Sequence, residues 1–216
     1  MTAKQDKLLA LFKAARVVPV LTIDRVQDAV PLARALVRGG VRTLEVTLRT
    51  PAAVDAAKAI MAEVPDAIVG IGTILGADDL ARAEKLGAKF GISPGATPEL
   101  LKAAAGSSLP FAPGIATASE LMAALAHGFD LVKFFPAESS GGIKALRALA
   151  GPFPQAKFCP TGGIAEANAS AWLAEPNVVA VGGSWLCPPA EIGSGNWSGI
   201  TAICDRSMKS LKPDTR

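Results

Sequence analysis

Lys133 stands between Val132 and Phe134 in the stretch "DLVKFFPAE", an apolar run in which an ammonium group is costly to desolvate. A lysine in such a place is either paired or used chemically. Apolar neighbours penalise its charged form and leave part of it as free amine, able to attack a carbonyl and form an imine. A second stretch, "TLEVTLR", places Glu45, Thr47 and Arg49 two residues apart, so that an extended chain turns all three to one face and Leu44, Val46 and Leu48 to the other. A carboxylate can move protons there and a guanidinium can clamp a carboxylate of a ligand. Thr73, ending the run with Val69 and Ile71, and Thr161, following Cys159, are polar exceptions of the same kind. Two glycine pairs, in "CPTGGIAEAN" and "VGGSWL", let backbone N–H groups approach a phosphate. The competing reading of these pairs is two tight turns that need positive φ. A buried structural ion pair is the competing reading of Glu45 and Lys133. Lys89 and Lys157 precede their strands, where a lysine can snorkel to solvent, and His127 beside Gly128 suits a helix end. All three are read as structural.

These residues need elements to hold them. Short apolar runs recur at intervals of roughly 20 to 25 residues, the length of a strand, a helix and two loops. They are "VVPVLTI", "VRTLEVT", "AIVGIGT", "AKFGISP", "PFAPGI", "DLVKFF", "KFCPTG" and "VVAVGGS", with alanine- and leucine-rich segments of helical period between them. Several of those segments open on a Ser, Thr or Asp cap and close on Gly. Eight strands alternating with helices predict a (β/α)8 TIM barrel, a single domain over residues 1–216 with an N-terminal helix at 1–16 and a polar C-terminal tail at 205–216. An open doubly wound sheet is the alternative, but the first strand runs into "VLTIDRVQDA", which has no GxGxxG turn. In a barrel, functional groups lie at the C-terminal ends of the strands, and phosphate sites lie in the last two loops. Both rules pick out the polar exceptions and the glycine pairs.

Composition removes several classes. The net charge of +3 is spread over helix-like segments, which gives nucleic-acid binding little support, and no apolar run reaches membrane length. One histidine and no clustered cysteines make a zinc site or a Ser-His-Asp or Cys-His centre hard to assemble. Three widely spaced cysteines, Cys159, Cys187 and Cys204, fit a reducing compartment. With no signal pattern at the N-terminus, a cytoplasmic location is the expectation. A lysine, a glutamate, an arginine and phosphate-ready loops suit a keto acid with a distal phosphate.

The stretches "LEVTLRT", "GIGTIL", "ISPG", "KFFPAE", "CPTGGI" and "VGGSWL", in this order, resemble the bacterial 2-keto-3-deoxy-6-phosphogluconate aldolases, which also act on 4-hydroxy-2-oxoglutarate. The resemblance runs from about Val17 to Trp185. It implies a class I lyase of the Entner–Doudoroff route, built as a homotrimeric (β/α)8 barrel with no metal or organic cofactor. Carried onto matching positions, it makes Lys133 the imine-forming residue and Glu45 the general acid/base. Arg49 and Thr73 would hold the pyruvyl carboxylate, Pro94 and Phe135 would wall the imine, and Thr161 would touch the substrate near its reacting carbons. Gly162, Gly163, Gly183 and Ser184 would hold the phosphate. An aldolase for the galactonate epimer would share these residues. A catalytically silent binder of phosphorylated sugar acids would require Lys133 to be inert.

Overall fold

The structure, a computed structural model, describes residues 2–211. Strands and helices alternate along the chain as α1 (Ala3–Ala15), β1 (Val17–Leu21), α2 (Val26–Arg38), β2 (Thr43–Thr47), α3 (Ala53–Glu63), β3 (Ile68–Gly72), α4 (Ala77–Leu86), β4 (Gly91–Ile92) and α5 (Pro98–Gly106). They continue as β5 (Phe111–Ala112), β6 (Gly114–Ile115), α6 (Ala118–Ala126), β7 (Leu131–Phe134), α7 (Gly142–Ala150), β8 (Lys157–Pro160), α8 (Glu166–Leu173), β9 (Val181–Gly183), α9 (Pro189–Gly193) and α10 (Trp197–Ser210). Helix starts follow the expected chemistry. Thr97 Oγ1 accepts the Leu100 N–H ahead of α5, and Thr117 with Glu120 closes a capping box ahead of α6.

Every strand pair is parallel. One sheet has the order β5-β4-β3-β2-β1-β9 and a second has the order β6-β7-β8, so the parallel strands form an α/β fold curled into a half-barrel. Isolated parallel bridges join Phe158 to Val178 and Thr161 to Gly182 beyond the second sheet. The segment "PFAPGI", expected as one strand, is two. Pro113 separates β5 from β6 because a proline has no N–H to give to a ladder, although its carbonyl still accepts the N–H of Lys133 at 2.9 Å.

The faces separate as alternation requires. Leu44 and Val46 of β2 join the large apolar cluster that also contains Leu32, Leu36 and Ile60 from the helices behind. A smaller cluster, with Val18, Ile92, Leu131 and Cys159 from the strands and Phe90 just before β4, occupies the opposite side, and α1 covers it with Leu8 and Phe12. Phe12 meets Phe90 edge-on with centroids 5.4 Å apart, and burying such a ring contributes about 1.5–3 kcal/mol. The buried Gln5 satisfies two strand ends at once, donating to Phe111 O at 2.8 Å and accepting the Leu131 N–H at 2.9 Å. This seals the N-terminal ends of the strands and leaves their C-terminal ends for a site.

The C-terminal segment departs from expectation. Residues from 205 onward were expected as a polar tail, yet α10 continues through Ser210, and residues 212–216 lie outside the described residues. Ile200, Cys204, Ser207 and Leu211 are buried at helical spacing, with Thr201 Oγ1 bonded to Ala35 O at 3.0 Å. The helix approaches the end of α2 so closely that a Cβ at Gly39 would lie 2.3 Å from Cys204 Cβ. No helix among the described residues is long and apolar enough to cross a membrane.

Candidate active site

Lys133 on β7 and Glu45 on β2 meet inside the curl. Lys133 Nζ donates to Glu45 Oε1 at 3.1 Å, and the two side chains are 4% and 2% exposed. Register explains the meeting place. Glu45 lies opposite Val20 on one side and Gly70 on the other, whereas Lys133 lies opposite Gly114 and Cys159. Glycines make the room: a Cβ on Gly72 would sit 2.1 Å from Glu45 Oε1, and one on Gly70 would sit 2.2 Å from the Phe90 ring. The Lys133 ammonium also lies 5.3 Å from the centroid of the Phe135 ring.

Arg49 and Thr73 stand past the ends of β2 and β3. Arg49 Nε donates to Thr73 Oγ1 at 3.1 Å, and the guanidinium has no other partner among the described residues. Thr73 has φ +60°, an uncommon conformation for a β-branched residue and one that accumulates at functional sites. Pro94 follows β4, and its carbonyl group packs so tightly on Gly114 that a Cβ there would be 2.2 Å from the Pro94 carbonyl carbon. Because Gly114 is in register with Lys133, Pro94 belongs to the lysine's surroundings.

Above the strands' C-terminal ends lies a cavity of about 660 Å³ lined by Arg49, Phe135, Thr161, Gly162, Gly163, Gly183 and Ser184. Lys133, Glu45, Thr73 and Pro94 do not line it; Phe135 touches both the cavity and the lysine. The two glycine pairs differ from one another. Gly162 and Gly163 have φ of +99° and +79°, so positive φ and proximity to the cavity hold together there. In the second loop the reason is space: a Cβ on Gly182 would lie 2.2 Å from Thr161 Oγ1, and one on Gly183 1.9 Å from the Trp185 ring. The parallel bridge from Thr161 to Gly182 engages the Gly162 N–H, whereas no acceptor among the described residues takes the N–H groups of Gly163 or Ser184, which can meet an anion. Helix α8 begins three residues after Gly163, whereas the second loop leads only to the five-residue α9.

The loop after β1 was overlooked. Asp24, Arg25 and Asp28 line the same cavity, with Arg25 Nε and Nη2 bonded to Asp28 Oδ2 and Oδ1 at 2.7 and 3.0 Å. Polar residues directly after an apolar strand, "VLTIDR", were the available signal. Lys89 is exposed, Lys157 opens β8, and His127 caps α6 with its Nδ1 2.8 Å from Ala123 O. Among the described residues, no three His, Cys, Asp or Glu side chains gather as a metal site.

Cys159 faces this pair, and burial pushes its thiol up to about 12; burial does the same for Cys187, on the cavity wall, and for Cys204. Thiolate is the reactive form. Iodoacetamide at pH 8 is therefore expected to leave all three unmodified in native protein and to alkylate them after denaturation, as read by peptide mass spectrometry. Rapid native labelling of Cys159 would contradict its burial.

A buried amine and carboxylate in contact, beside a cavity at the C-terminal ends of parallel strands, form an arrangement suited to imine-forming chemistry. Similarity narrows the class. Residues 8–203 match the family model described as "Aldolase: KDPG and KHG aldolase", and the chain belongs to that family. It is 52% identical over 196 residues to the "KHG/KDPG aldolase" of Escherichia coli K12, covering 91% of this chain and 92% of that protein. A structure of the Legionella pneumophila KDPG aldolase, with pyruvate captured at low pH as a covalent carbinolamine, superposes with a TM-score of 0.90 at 46% identity, covering 95% and 98% of the two chains. The Zymomonas mobilis ZM4 enzyme with 3-phosphoglycerate gives 0.89 at 44% identity over 95% and 96%.

Proposed function

We propose that the protein cleaves 2-keto-3-deoxy-6-phosphogluconate to pyruvate and glyceraldehyde 3-phosphate, and 4-hydroxy-2-oxoglutarate to pyruvate and glyoxylate, through an imine on Lys133. The observation that carries this reading is the 3.1 Å contact between two almost fully buried groups, Lys133 Nζ and Glu45 Oε1. A proton can pass between them, freeing the amine to attack the C2 ketone. The carbinolamine loses water to give a protonated imine. Glu45, through a water, removes the C4 hydroxyl proton; the C3–C4 bond breaks, its electrons pass into the imine, and the aldehyde leaves. The enamine is protonated at C3, and hydrolysis returns pyruvate and free Lys133.

The remaining roles are those the family resemblance implies, and the positions described above support them. Arg49, fixed through Nε, offers its other N–H groups to the pyruvyl carboxylate together with Thr73. Pro94 and Phe135 form the wall beside the imine, Thr161 reaches the reacting carbons, and Gly162, Gly163, Gly183 and Ser184 take the phosphate in the cavity. In a silent binder the Lys133–Glu45 contact would be a structural ion pair alone. The same reading includes full closure of the strands into a (β/α)8 barrel. Supporting closure, the bridges run from β8 to Val178 and Gly182, while β9 pairs with β1 and only Pro113 divides β5 from β6. It also includes a single barrel domain, a cytoplasmic location and a homotrimer, for which sedimentation velocity is the check.

The direct test is an assay with purified protein, following pyruvate by lactate dehydrogenase and the triose phosphate by a second coupled enzyme. Equal amounts of the two products from the phosphorylated acid are expected. Release of pyruvate from neither substrate would overturn the reading.

A further inference from the structure

The Gly162–Gly163 loop is held from behind by a side chain outside the cavity wall. Glu138 lies five residues beyond Lys133, in the turn that follows β7. Its Oε1 accepts two hydrogen bonds, from Trp172 Nε1 at 2.9 Å and from Asn168 Nδ2 at 3.0 Å. Trp172 is fully buried and packs obliquely on Phe134, so the carboxylate is anchored to a rigid point of the core. Asn168 extends the anchor to the loop: Nδ2 also donates to Gly163 O at 3.2 Å, and Oδ1 accepts the Ala165 N–H at 2.8 Å.

The main chain of the same turn completes the hold. Ala137 N–H donates to Thr161 O at 2.8 Å, and Glu138 N–H donates to Gly162 O at 3.1 Å. The carbonyls of Thr161, Gly162 and Gly163 are thus all engaged, while the Gly163 N–H has no acceptor among the described residues. Contact is tight enough to specify residue 163, since a Cβ there would lie 2.5 Å from Glu138 Cγ, quite apart from the positive φ. The negative charge of Glu138 is turned toward two donors, not toward the cavity, where it would repel an anion.

We infer that Glu138, acting through Asn168 and Trp172, is a positioning residue for the anion end of the substrate: it fixes the Gly162–Gly163 backbone so that the free Gly163 N–H meets a phosphate. This rests on the aldolase reading of the site. The brace bears on binding of the phosphorylated end and leaves the imine chemistry at Lys133 to other residues. Its removal separates two substrates that differ in carrying a phosphate.

The test compares steady-state cleavage of 2-keto-3-deoxy-6-phosphogluconate and 4-hydroxy-2-oxoglutarate by wild type, Glu138→Ala and Glu138→Gln. Glu138→Ala is expected to raise KM for the phosphorylated substrate roughly tenfold, as loss of a positioning contact does, with kcat nearly unchanged and the unphosphorylated substrate unaffected. Glu138→Gln keeps an acceptor for both donors and is expected to behave as wild type. Competitive inhibition by inorganic phosphate should weaken in parallel with KM. Equal losses on both substrates, or no change on either, would overturn the inference. If Glu138→Ala fails to fold, Asn168→Ala cuts the same brace and must give the same split. If wild type cleaves neither substrate, the aldolase reading fails by itself. The brace is then read by whether inorganic phosphate raises the Tm of wild type and not of Glu138→Ala.

Discussion

Lys133→Ala is expected to abolish cleavage of both keto acids and to lower the stability of the protein as well. The first effect follows from the loss of the nitrogen proposed to form the imine. The second follows from burial: removing one partner of an almost fully buried pair leaves an uncompensated carboxylate, a change that costs about 3–5 kcal/mol. For a domain of this size, 3 kcal/mol corresponds to a fall in Tm of roughly 6–12 °C. The two effects separate in a double variant. Adding Glu45→Gln to Lys133→Ala removes the stranded charge and should recover much of the Tm without recovering any turnover. Thermal melts and a pyruvate assay on the two variants read both. Wild-type activity in Lys133→Ala would end the imine assignment, whereas an unchanged Tm would mean that the pair is worth less than its burial implies.

Gly72→Ala, the smallest side chain that can be added, is expected to reduce kcat by about 100-fold while leaving the protein folded. The new Cβ would fall 2.1 Å from Glu45 Oε1, 2.6 Å from Cγ and 2.7 Å from Cδ. The whole carboxylate must move, not merely its tip, and its 3.1 Å contact with Lys133 goes with it. The backbone at Gly72 is ordinary strand in register with Thr47, so alanine brings no conformational strain of its own. Circular dichroism should be unchanged and the proton-transfer steps slowed. Undiminished kcat in a folded Gly72→Ala protein would show that the position of Glu45 does not govern the reaction.

These two residues also mark the limit of what the sequence makes legible. Lys133 is conspicuous in sequence because the cost of burying a charge is local, and alternation along "TLEVTLR" places Glu45 on an inward face. Their partnership depends on register across several strands, which no local pattern encodes. Gly72 is invisible for the same reason: in "VGIGT" it reads as an ordinary glycine, and only the neighbouring strand reveals whose side chain fills the space. The division of "PFAPGI" at Pro113 was open to a stricter reading of proline, which cannot donate to a ladder. The continuation of α10 was concealed by composition. Cys204 is fully buried beside Gly39 at the end of α2 and Ser207 beside Trp185 and Glu166, but a serine and a cysteine among charged residues do not announce an apolar face. Arg25 and Asp28 were passed over because they lie beyond the first strand and not within it, although the cavity rule extends to the loops.

The proposed reaction turns on one covalent event, the bond between Lys133 and a keto acid, and that event can be captured. Incubation of native protein with pyruvate and borohydride, followed by peptide mass spectrometry, reads it directly. The account predicts a single reduced pyruvyl adduct on Lys133, lost in the Lys133→Ala variant. No adduct, or adducts spread over exposed lysines such as Lys89, would contradict it.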